Sequence, residues 1–103
     1  MIARIWSAQI DEDRASEYEA FAQESSLPMF RIQPGFCGVT MLRQGARCIV
    51  ITTWSDRSAM AKLKESPTYA ETVRRIEEKG FLIGNQLVEV YDIHLIFAEM
   101  HIE

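Results

Sequence analysis

A chain of 103 residues has room for one domain with a modest core and little space for a second, so residues 1–103 read as a single unit. With 48% hydrophobic and 25% charged residues the composition is that of an ordinary globular protein, and a net charge of -4 argues against a general role on nucleic acid or anionic membrane. No apolar run approaches the ~20 residues that span a bilayer. The opening MIARIWSAQI lacks the separate basic and long apolar regions of a signal peptide, so the expected compartment is the cytoplasm.

Residues 2–10 predict a strand. Ile2, Arg4, Trp6 and Ala8 share one face, and Ala3, Ile5, Ser7 and Gln9 the other. Neither face is cleanly polar, which suits a sheet covered on both sides. Residues 11–26 predict a helix capped by Asp11 or Asp13, with Ala15, Tyr18, Ala22 and Ser25, and Phe21 beside them, forming an amphipathic stripe. Leu27-Pro28 is expected to end or kink it, with a further helical turn before Pro34-Gly35.

Two strands are expected next, at 36–43 and 47–54, joined by a hairpin about Gly45. Ser55 is placed to cap a following helix, and Ser66-Pro67 to start another that runs to Lys79-Gly80. FLIGN reads as a loop with apolar anchors, and residues 86–98 as a long last strand. Cys37 and Cys48 fall too far apart along such a hairpin for a disulfide.

The order β-α-β-β-α-β defines an α+β, ferredoxin-like fold: a four-stranded antiparallel sheet with two helical segments on one face. The other face of such a sheet would expose a large apolar patch. The expected remedy is a homodimer, sheet face against sheet face, with the long last strand reaching the partner.

MIARIW, EYEAF, the run LP…R…PGF.G, a strand ending in TTW, and VEVYDI together resemble the antibiotic biosynthesis monooxygenase family over nearly the whole chain. The resemblance implies a dimeric α/β barrel with a pocket between sheet and helices in each protomer. It also implies cofactor-independent oxidation of an electron-rich aromatic, a phenol or quinol, by O₂. Polyketide-type members use a Trp at the end of strand three, which Trp54 matches; their Asn and Tyr fall here on Val50 and Met60. The haem-degrading branch carries an Asn, a Trp and a His where this chain has Ser7, Leu63 and Val73, so haem degradation by that mechanism is disfavoured.

The expected site is an apolar pocket lined by Trp54, Tyr69, Leu63 and Val73, with Ser7 as a polar handle and Tyr18 able to donate a phenolic hydrogen bond. Trp54 equally suits a core position at the strand-to-helix corner. His94, two residues from Asp92 on one strand face, is the candidate acid–base group, and equally suits a structural or interfacial place. His101 falls near the end of the chain. The histidines have no metal-ligand spacing, and no Gly-rich phosphate loop is present, so neither a metal nor a cofactor is expected. The alternative reading is a non-catalytic dimeric module that binds a small ligand.

Overall fold

The computed structural model describes residues 1–100. Four strands form one antiparallel sheet in the order β2-β3-β1-β4, the ferredoxin-like arrangement. They are β1 (Ile2–Ile10), β2 (Phe36–Gln44), β3 (Arg47–Trp54) and β4 (Leu82–Asp92). β1 pairs with β3 on one side and β4 on the other, so its backbone is bonded along both edges. The sheet of a single chain is open; a barrel needs a second copy to close it.

The helices are α1 (Ala15–Phe21), α2 (Leu27–Arg31), α3 (Arg57–Lys62) and α4 (Pro67–Lys79). The helical stretch is interrupted just before Leu27-Pro28, where a break or kink is expected, and the further turn expected before Pro34 is α2, which ends at Arg31. A wide π-type turn at Ala22–Ser26 precedes Pro28. A proline inside a regular α-helix would clash with the carbonyl four residues back, and a widened turn is one way to carry the chain past it.

The cap of α3 is Asp56, not Ser55: its carboxylate accepts from the Ala59 N–H at 2.8 Å. Ser66 caps α4 as the sequence predicts, accepting from the Tyr69 N–H at 3.3 Å, with Pro67 in the first turn and Gly80 ending the helix at φ 77°. Gly35 is required for a steric reason. A Cβ there would stand 2.4 Å from the Ala59 side chain, in a backbone already at φ 81°.

The last strand begins and ends earlier than expected, spanning 82–92 rather than 86–98. Most of FLIGN is therefore strand, because Gln9 and Ile10 offer pairing partners to Ile83 and Leu82 past a register shift at which β4 carries the extra residues. Beyond it residues 93–100 take no regular structure; Leu95, Phe97 and Met100 there are largely exposed. In the hairpin Cys48 faces Arg43, since the turn is only two residues long. Both cysteines are free thiols.

Alternation sorts the sheet into two faces. Ile2, Arg4, Trp6 and Ala8 of β1 stand beside Trp54, Thr52, Val50 and Cys48 of β3 under the helices. One core cluster joins Ile2, Met29, Phe30, Val50, Trp54 and Leu63; a second joins Ile10, Tyr18, Phe21, Cys48 and Phe81, with Trp6 touching both. Phe81 meets Tyr18 and Phe21 edge to face, at 6.0 and 6.4 Å. The opposite face carries Ile5, Ile49, Ile51, Leu42, Leu87 and Tyr91, and no helix covers it. Leu87 and Tyr91 are 53% and 52% exposed. Among the described residues no helix is long and apolar enough to cross a membrane.

Candidate functional site

A cleft of about 140 Å³ lies between the helix-covered face of the sheet and the helices above it. Its floor is Arg4 and Trp6 of β1, Val50 of β3, Met41 of β2, and Gln86 and Val88 of β4. Its walls come from Tyr18, Ala22 and Ser26 on one side, Met29 and Phe30 of α2, and Tyr69, Thr72, Val73 and Ile76 of α4. The α4 residues share a face because 69, 72, 73 and 76 follow the helical period. The wide turn before Pro28 brings Ala22 and Ser26 to the same wall as α2.

Polar atoms in this largely apolar cleft are few and mostly engaged. Arg4 Nη2 donates to Tyr69 Oη at 3.1 Å, with the guanidinium carbon 5.8 Å from the centre of the Tyr69 ring. The Tyr69 oxygen thus accepts from Arg4, which leaves its own O–H to point elsewhere. Trp6 Nε1 donates to Gln86 Oε1 at 2.8 Å, tying floor strand to edge strand. Thr72 turns its hydroxyl back to the Thr68 carbonyl at 2.9 Å.

Arg4 is the one charged residue among the described residues that line the cleft, and none of them is Asp or Glu. Its strand neighbours on that face, Thr52 and Val90, are uncharged. Among the described residues no carboxylate forms an ion pair with it; the paired arginines are Arg14, Arg43, Arg57 and Arg74.

Tyr18 is held neutral. Burial first, then the adjoining Cys48, raise its phenol well above the ordinary value of 10.0. Burial likewise raises the Cys48 thiol, partly offset by a hydrogen bond with Tyr18. Neither group is an anion near neutral pH, so Cys48 is no ready nucleophile.

Of the residues expected from sequence, Tyr18, Tyr69 and Val73 meet at this cleft. Trp54 does not line it. Its indole is 0% exposed, its Nε1 donates to Thr52 Oγ1 at 2.9 Å, and Phe36 packs against it edge to face at 5.7 Å. Leu63 is core beside Trp54 and also borders a separate groove between residues 32–34, after α2, and the stretch from α3 to the start of α4. Gln33, the buried polar residue of that groove, is already bonded to the Met29 carbonyl and Thr68 Oγ1.

Ser7 lies on the opposite sheet face, buried between Ile49 and Leu87 by virtue of its size. His94 is exposed beyond the end of β4, away from the cleft, and the Asp92 carboxylate accepts from Arg57 at 3.1 Å. His101 is outside the described residues. Among the described residues no group of three His, Cys, Asp or Glu gathers as metal ligands.

Sequence reasoning passed over Arg4, Trp6 and Gln86. One signal for Arg4 was available: a charge between Ile2 and Trp6, on the strand face that the helices cover.

An open ferredoxin-like sheet with a cleft under its helices defines a broad class of small α+β proteins. Within it, the model of the antibiotic biosynthesis monooxygenase family matches residues 1–75, and the chain belongs to that family. No curated protein matches the chain. Among solved structures it is similar to the monooxygenase from the gene ActVA-Orf6 of Streptomyces coelicolor, solved with nanaomycin D. The two are 14% identical, with a TM-score of 0.79 over 96% of this chain and 92% of that one. SnoaB, a cofactor-independent oxygenase from Streptomyces nogalater solved as a mutant, is 17% identical, with a TM-score of 0.72 over 95% and 97%. Rv0793 from Mycobacterium tuberculosis is 20% identical, with a TM-score of 0.73 over 95% and 98%. At these identities the likeness is one of fold.

Proposed function

We propose that the protein is a cofactor-independent monooxygenase that oxidises an electron-rich phenol or quinol in the cleft. The observation that carries this is the Arg4–Tyr69 pair standing in an otherwise apolar lining. In such a reaction the substrate supplies every electron. A phenol and O₂ give a quinone and water: one oxygen atom enters the ring, the other leaves in water, and the four electrons that O₂ gains are the four the phenol loses. The protein's task is to favour the electron-rich phenolate and to keep it dry.

Arg4 serves the first need. A charge-assisted hydrogen bond to a phenolate stabilises it by about 1.5–3 kcal/mol, lowering a bound phenol's pKa by about one to two units. Tyr69, its oxygen held by Arg4, directs its proton toward the substrate oxygen. Trp6, Val50, Val88, Met29 and Phe30 serve the second need by excluding water from the ring.

Oxygen consumption by the purified protein against a panel of phenols and hydroquinones tests this. Uptake above the autoxidation blank that falls at least about tenfold in Tyr69→Phe is the expected result. No uptake across the panel, or equal uptake by the variant, defeats it.

A non-catalytic ligand-binding module is the second reading, and one observation favours it: no His, Asp or Glu among the described residues lines the cleft to take a proton. Ligand binding without oxygen uptake would establish it. Either reading includes a homodimer through the uncovered sheet face, where Leu87, Tyr91 and Leu42 stand exposed beside Ile49 and Ile51. Leu87→Asp is expected to convert dimer to monomer in sedimentation equilibrium, and an unchanged mass would count against sheet-to-sheet pairing.

A further inference from the structure

We propose that the ligand of the cleft is a single-ring aromatic acid, a hydroxybenzoate in type, with its carboxylate seated on Arg4. This keeps the cleft as the ligand site but gives Arg4 a carboxylate in place of the phenolate oxygen, and it does not depend on the oxygen chemistry.

Three observations converge on it. The first is size: the free space is about 140 Å³. An apolar protein cavity of about 150 Å³ holds one benzene, whereas pockets for drug-sized ligands run to about 300–1,000 Å³. One ring with a small substituent fills this space; a fused tricycle would extend out through the cleft's open side.

The second is charge. The chain carries 15 acidic residues against 11 Lys and Arg, yet among the described residues no acid lines this cleft and one arginine does. A half-buried guanidinium among apolar side chains is stabilised by a counter-ion, and the described residues provide none. The ligand is left to bring it.

The third is geometry. A guanidinium has five N–H donors, and here one goes to Tyr69 Oη at 3.1 Å. The remaining donors suit the two oxygens of a carboxylate in the fork-to-fork manner that lysine cannot reproduce. Trp6, two residues along the same strand face, is placed for the ring to lie against. A neutral quinol would fill the space but leave the charge unanswered.

Calorimetric titration of the intact protein with 4-hydroxybenzoate and with its methyl ester separates the two. The acid is expected to bind about 10- to 100-fold more tightly than the ester, the range for a charge-assisted contact. Arg4→Gln is expected to abolish that preference while keeping ester binding, and Arg4→Lys to retain only part of it. Circular dichroism on each variant confirms the fold; should Arg4→Gln unfold, the Arg4→Lys titration decides alone.

Equal affinity for acid and ester, an unchanged preference in the folded variants, no binding of either compound, or tighter binding of a tricyclic phenol would each overturn the proposal. Oxygen uptake with 2,5-dihydroxybenzoate keeps the two ideas apart. Acid-selective binding without uptake upholds this proposal and ends the oxygenase reading. Uptake on neutral quinols without acid preference does the reverse.

Discussion

Trp54 and Trp6 stand on neighbouring antiparallel strands, on the same helix-covered face, four residue pairs apart along the ladder. Trp54 is sealed: Phe36 abuts it, Leu63, Met29 and Phe30 share its cluster, and Thr52 satisfies its N–H. Trp6 is only half covered, touches both clusters, and reaches sideways to Gln86. The same residue type on the same face has become a wall in one place and the floor of a cleft in the other. What decides between them is the layer above. Over Trp54 the chain turns straight from strand into α3, and Gly35 lets the preceding loop close down on Ala59. Across the cleft that Trp6 floors, the lining includes the small side chains of Ala22 and Ser26, and a gap remains.

The largest effect should come from attacking the sealed end. Trp54→Ala is expected to destabilise the fold by about 3–5 kcal/mol in urea unfolding, as large-to-small core changes do. A loss below about 1 kcal/mol would mean that the corner is looser than its packing implies. Trp6→Ala should lose less, about 1–2 kcal/mol, because part of its ring is already exposed. It should also weaken aromatic ligands in titration calorimetry, while Trp54→Phe leaves their affinity nearly unchanged. The reverse pattern would move the site to the Trp54 corner.

Tyr69→Phe removes one hydrogen bond at the cleft and should cost about 1 kcal/mol of stability or less. Its effect belongs in turnover rather than in the melting curve.

At neutral pH the smallest change is expected from Tyr18→Phe, on the wall away from Arg4, but this variant has a pH signature. The native state resists ionising Tyr18, whereas the unfolded chain ionises it from about its ordinary value of 10.0. Its contribution is therefore whole below that pH and is lost as pH climbs above it. Tyr18→Phe should flatten the fall of stability in alkali, leaving the part due to Cys48, whose thiol is raised in the same direction. Parallel alkaline curves for the two proteins would show that the phenol is not sequestered.

The contrast between the two tryptophans also explains what could be read in advance. Strands, hairpin, the Ser66-Pro67 start and the Gly80 stop are local matters of alternation and capping, and they were legible. The end of β4 was not, because residues 93–98 keep the strand's alternation after the partner strand β1 has run out at Met1. The irregularity at Pro28 was legible, but its form was not, because a widened turn is not encoded by period.

For the site, Tyr69 and Val73 follow from the apolar stripe of α4, and Tyr18 from that of the first helical stretch. Ser7 was assigned to the pocket, but the alternation of β1 puts it on the other face from Trp6. Trp54 has the composition of a binding residue; whether a gap stands over it depends on side chains from α2, β2 and α3, which no single window contains. Arg4 went unnoticed because its meaning lies in what is missing around it: among the described residues no acid lines the cleft from any of the seven strands and helices that form it.

β1 is bonded along both edges, so the amides beneath Arg4 and Trp6 exchange with solvent only when the sheet itself comes apart. Tyr69, Val73 and Ile76 ride instead on a helix fastened by side chains. An arriving guest meets a rigid floor and a roof that can breathe. Deuterium uptake should thus slow along α4 as the cleft fills and stay flat along β1, so that occupancy is recorded by the part of the cleft that carries no charge.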